Sequence, residues 1–117
     1  MTDHEGPIHR SILHYLRLRF PRALIFHPAN ELALRGDPKF KAIAQNKAKA
    51  LGMLPGAPDI CMLHDGLFYG FEVKAAKGRA SEHQTLVGLA IRENGGRWAL
   101  VRSIADVQAA LEKEGDL

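Results

Sequence analysis

Cysteine is nearly absent. Cys61 stands alone in 117 residues, so no disulfide can form within the chain, and a single thiol fits a reducing compartment better than an oxidising one. No apolar run approaches the roughly 18 residues of a membrane-spanning helix, and the stretch from Met1 to Arg10 is polar, without a signal-peptide core. A cytoplasmic protein without membrane contact is the expectation. Aromatics make up only 7% of the chain and form no ladder beside the basic residues, so recognition of single strands by base stacking is not indicated. Internal repeats, low-complexity tracts and linker-like stretches are also missing, which leaves one domain spanning residues 1–117 as the expected organisation.

What is present is the balance of a globular domain, with 46% hydrophobic and 25% charged residues. A chain of this size buries roughly two-thirds of its unfolded surface, enough for a core held by packing alone. The net charge of +3 is unevenly placed. Met1 to Leu54 holds nine Lys/Arg against four Asp/Glu, and Pro55 to Leu117 holds seven against nine. That asymmetry points to a polyanionic partner with an acidic site elsewhere, the plainer alternative being a solvated surface.

Periodicity and punctuation place the elements. Pro7 suits the first turn of a helix, with Ile8, Ile12, Tyr15/Leu16 and Arg19 following before Phe20-Pro21. Ala23 to His27 reads as a short strand. Asp37-Pro38 opens a second helix, whose face of Phe40, Ala44, Ala48 and Leu51 ends at Gly52. Two strands, Asp59 to His64 and Leu67 to Ala75, flank Asp65-Gly66, the pair preferred in a two-residue type I′ hairpin. Ser81-Glu82-His83-Gln84 is a capping box for a helix reaching Asn94, Trp98 to Arg102 is a strand, and Ser103 starts a last helix running to about Glu114. The order αβαββαβα predicts a mixed α/β fold, a small sheet flanked by helices, with its parallel crossover through the Ser81 helix.

The hairpin carries the chemistry. With Asp65 and Gly66 as the whole loop, His64 faces Leu67, and continuing the register sets Asp59 directly opposite Glu72 in a non-hydrogen-bonded pair, where side chains are close. Opposed like charges destabilise a sheet, and a cation between them reverses the sign. Hard oxygen donors without thiolate or imidazole favour Mg²⁺ or Mn²⁺. Lys74, two residues past Glu72, points to the same face, while Phe71 and Val73 point away. Taken singly, such a Glu/Lys stripe is more often a solvent-facing edge. Its coincidence with Asp59 across a hairpin makes it a candidate site.

These residues also carry a resemblance. Pro58-Asp59, twelve intervening residues and Glu72-Val73-Lys74 resemble the PD-(D/E)XK nuclease signature. The surroundings are similar to its VRR-NUC branch: Gly56-Ala57-Pro58-Asp59 resembles the G-x-P-D motif, Ser81-x-x-Gln84 the S-x-x-Q motif, and Val101-Arg102-Ser103 falls where the late strand of that branch ends. Phe26-His27-Pro28-Ala29-Asn30 resembles the F-H-x-x-N segment, and Glu5 matches the acidic residue of the first helix. The resemblance covers nearly the whole chain and implies a restriction-endonuclease-like core that hydrolyses DNA phosphodiesters with Mg²⁺ or Mn²⁺. It implies Asp59 and Glu72 as metal ligands, the Val73 carbonyl as a third, Glu5 as a further one, and Lys74 as the residue that orients or activates the attacking water.

Some positions keep two readings. Gln84 is either near the site or satisfied locally as a helix cap. Glu5 lies outside the first helix if Pro7 starts it, and on the inward face, or in a capping box with Thr2, if the helix starts earlier. His27 and Asn30, at a strand exit, either shape a loop or position substrate. Lys77 and Arg79 follow Lys74 in a turn suited to phosphate contacts. Lys39 and Lys49 on the polar side of the second helix, with Lys41 and Lys47 flanking its apolar stripe, are further DNA-contact candidates or a solvated face. The remaining histidines lack ligand spacing, so zinc is not expected. By resemblance to small stand-alone phage and bacterial members, the expected partner is branched DNA such as a Holliday junction, in DNA repair, and the expected assembly is a homodimer. A flap or single-strand nuclease, or a noncatalytic DNA-binding module of the same fold, are the alternatives.

Overall fold

The computed structural model describes residues 4–28 and 38–117. Its elements follow the expected order: α1 (Glu5–Arg19), β1 (Leu24–Phe26), α2 (Pro38–Ala50), β2 (Ile60–His64), β3 (Leu67–Val73), α3 (Glu82–Glu93), β4 (Arg97–Val101) and α4 (Ile104–Lys113). Helix α1 begins two residues before Pro7. Proline is tolerated there because the first N–H groups of a helix have no intrahelical partner, so a proline within the first turn does not mark its start. Asp37, read as the cap of α2, lies outside the described residues, as do Thr2 and Asn30.

The sheet has the order β1-β2-β3-β4. The first three strands are antiparallel, and β4 joins parallel to β3 after a crossover through α3. Asp65 and Gly66 have φ of 50° and 78°, the positive values a type I′ turn demands. From that turn the predicted register runs unbroken to Ile60↔Phe71. The ladder stops there: Asp59 is the residue just before β2, in a bend, rather than a member of the pairing. Strand β3 likewise ends at Val73, two residues short of the expected Ala75.

Alternation sorts the two faces. Ile60, Met62, Tyr69, Phe71, Val73 and Val101 meet Ile12 and Leu16 of α1 and Val107 and Leu111 of α4 in one buried core. The opposite face, bearing Gly70 and Glu72, is covered by α3, which approaches closely because Gly88 leaves room for the Trp98 ring. Helix α2 departs from expectation. Of its predicted apolar row, Phe40 and Leu51 are 66% and 81% exposed, Ala44 is exposed and only Ala48 is half-buried, and Ile43 beside the row is 60% exposed. No described helix is long and apolar enough to cross a membrane.

Candidate active site

Glu72 is at the centre. Its place in β3 turns its side chain to the α3 face, where it is fully buried. Oε1 accepts a 2.7 Å hydrogen bond from Gln84 Nε2 and lies 3.8 Å from Lys74 Nζ. Oε2 is buried without a hydrogen-bond partner. Burial first, and the neighbouring Asp59 carboxyl second, push the Glu72 carboxyl up to about 9; Lys74 opposes the shift and Glu5 adds to it. A buried carboxylate facing another is costly to ionise, so the metal-free protein holds a proton here at neutral pH.

Asp59 is held by three features. Its Oδ2 accepts a 2.8 Å hydrogen bond from the Val73 N–H. Its main-chain carbonyl lies 2.6 Å from His27 Nδ1. The preceding loop is pinned by Gly56, whose φ is +84° and whose missing Cβ would fall 2.5 Å from the His83 carbonyl carbon at the start of α3. The G-x-P-D segment therefore sits against the first turn of α3, from which Gln84 projects. The same acidic pair, after burial itself, raises the Cys61 thiol to about 11, which keeps it protonated and inert.

The two readings of Gln84 are both satisfied. Its Oε1 accepts from the Ser81 N–H at 2.8 Å, its N–H donates to Ser81 Oγ at 3.2 Å, and its Nε2 reaches Glu72. One amide caps the helix and orients the carboxyl. The early start of α1 also decides Glu5: it is buried in the first turn, with His4 at the cap position, and acts on Glu72 through its charge. It does not complete a cluster. Among the described residues no three His, Cys, Asp or Glu side chains come together as a ready metal site.

The other candidates are placed apart. Lys77 and Arg79 are exposed on the turn after Lys74. Lys39, Lys41, Lys47 and Lys49 are exposed on α2, which contributes none of the contacts described above. His27 serves the site as a support for the Asp59 backbone, and its ring meets that of His9, edge to face, with centroids 5.1 Å apart. Three supporting features escape the sequence reading. The Val73 amide contact is a main-chain group with no sequence signal, and His9 has no ligand spacing. Arg102, whose guanidinium is described below, is signalled only by its place at a strand exit.

Neither a family model nor a curated protein matches the chain. Solved structures do. A "VRR_NUC domain protein" superposes with a TM-score of 0.64 over 97% of this chain and 88% of its own, at 13% identity. A second, a "VRR_NUC domain", gives 0.56 over 95% of this chain and 97% of its own, at 21% identity. With its four-stranded mixed sheet, flanking helices and near-complete coverage in both comparisons, the chain has the VRR-NUC fold.

Proposed function

We propose that the protein is a Mg²⁺- or Mn²⁺-dependent nuclease that hydrolyses phosphodiester bonds in DNA, and that its active site is Asp59, Glu72 and Lys74. The observation that carries this reading is the buried Glu72 carboxyl set beside the Asp59 carboxyl, its Oε2 meeting no N–H donor. An arrangement that costs stability without a cation fits a site shaped for one, and the oxygen donors suit a hard divalent ion. Asp59 and Glu72 would hold it, with the Val73 carbonyl as a third donor and Glu5 adding negative charge. When bound, such an ion supplies charge neutralisation and Lewis acidity at the phosphate.

The chain's own groups do the rest. Lys74 keeps its ammonium 3.8 Å from Glu72 Oε1 with a side chain only 14% exposed, placed to orient a water and offset charge building on the phosphate. Gln84 fixes one Glu72 oxygen and leaves the other for the site. The Val73 N–H fixes one Asp59 oxygen in the same way. Lys77 and Arg79, exposed on the next turn, would meet backbone phosphates.

We further propose branched DNA as substrate and a homodimer as the working form, since two equivalent strands call for two related sites. The test is cleavage of labelled junction, flap and duplex DNA with Mg²⁺, Mn²⁺ or EDTA. Metal-dependent cuts, strongest on the junction, are expected. Binding without cleavage in either metal would make the protein a noncatalytic module.

A further inference from the structure

We infer that Arg102 is a positioning residue for Lys74, acting through the turn that follows β3. The inference rests on the reading of Lys74 given above. Arg102 Nη1 donates to two main-chain carbonyls of that turn, Ala75 O at 2.5 Å and Gly78 O at 2.8 Å. The turn is closed by the Gly78 N–H on Ala75 O at 2.9 Å. Gly78 lies against the Lys74 stem: a Cβ there would be 3.2 Å from Lys74 Cβ and 3.3 Å from Lys74 Cδ. Lys74 is thus confined along its length, its N–H donating to Val101 O at 3.0 Å, its stem lying against Gly78 and its ammonium standing 3.8 Å from Glu72 Oε1.

Arg102 is itself held. Its N–H donates to Asp106 Oδ2 at 2.9 Å, and the Asp106 N–H donates to Ser103 Oγ at 3.1 Å in the first turn of α4. A lysine stem has four rotatable bonds, so its ammonium keeps one place only where the stem is confined. The rigid planar guanidinium, bound to two carbonyls of one turn, confines it by fixing the wall that the stem lies on. An amide is too short to do this from the same backbone position, and an ammonium lacks the fixed planar N–H directions with which Nη1 meets both carbonyls.

The experiment uses the full chain with Arg102→Gln, Arg102→Lys and Gly78→Ala, each checked for folding by circular dichroism. In Mn²⁺, Arg102→Gln is expected to lower kcat roughly tenfold or more with KM for DNA little changed, as displacement of a catalytic group does. Arg102→Lys should recover part of the loss. Added to Lys74→Ala, Arg102→Gln should cause no further loss, because the residue it positions is gone. Gly78→Ala leaves the two carbonyl contacts in place and should lower kcat through the stem alone. A readout independent of activity is acetylation of Lys74 followed by mass spectrometry, expected to be several-fold faster in Arg102→Gln. Unchanged Lys74 reactivity in folded Arg102→Gln or, should that variant fail to fold, in Arg102→Lys and Gly78→Ala would overturn the inference whether or not the wild type cuts DNA. Absence of cleavage by the wild type with normal confinement of Lys74 would overturn only the nuclease reading.

Discussion

Glu72 is a single residue whose protonation state is tied to the stability of the whole domain. In the metal-free protein its carboxyl is raised from 4.5 to about 9 by burial and by Asp59. The unfolded chain releases this proton first, so the stabilising contribution is complete below about pH 4.5 and is lost as pH rises through about 9. Urea denaturation in EDTA should show stability falling across that window, and Glu72→Gln should flatten the fall. A second prediction follows at the same residue. Mn²⁺ should raise the melting temperature of the wild type through its preference for the folded state, by an amount that grows with pH, and should leave that of Glu72→Gln nearly unchanged. Glu72 and Lys74 were legible as one strand face from their two-residue spacing, and Gln84 as a capping residue, whereas hairpin arithmetic brought Asp59 near Glu72 but extended the ladder one pair too far. The Val73 N–H on Asp59 and the His27 ring at the Asp59 carbonyl were not, since they involve main-chain atoms 14 and 32 residues away along the chain.

At the scale of elements, the site depends on how closely α3 lies on the sheet. Gly88 permits that approach, since a Cβ there would stand 2.5 Å from Trp98 Cδ2. Gly88→Val should therefore lift α3, draw Gln84 away from Glu72 and destabilise the fold by about 1–3 kcal/mol, measured by chemical denaturation. Thermal stability unchanged in that variant would show that the packing yields. The β2–β3 register was legible because Asp65-Gly66 fixes the loop and a two-residue turn leaves one register available. The start of α1 was not, because proline is accepted throughout the first helical turn and so sets no sharp boundary. The capping box at Ser81 was legible as a local motif, whereas the second bond of Gln84, to Glu72, exists only once the helix is docked on β3. Helix α2 was legible as a helix, but an amphipathic period does not say what covers the apolar row.

At the scale of the molecule, the exposed apolar Phe40, Ile43 and Leu51, on and just after α2, form the surface on which the proposed homodimer would be expected to associate. Under the homodimer proposal, sedimentation at micromolar concentration should give two chains, and Ile43→Asp should give one while leaving the acidic pair intact. A wild-type monomer would remove the dimer from the account. The most direct test of the account is cleavage of a labelled four-way junction in Mn²⁺ by the wild type and by Asp59→Asn, side by side. The amide keeps an oxygen for the Val73 N–H but removes the charge, so a folded Asp59→Asn should be inactive while the wild type cuts and is stopped by EDTA. Full cleavage by Asp59→Asn would contradict the assignment of the acidic pair as the active site.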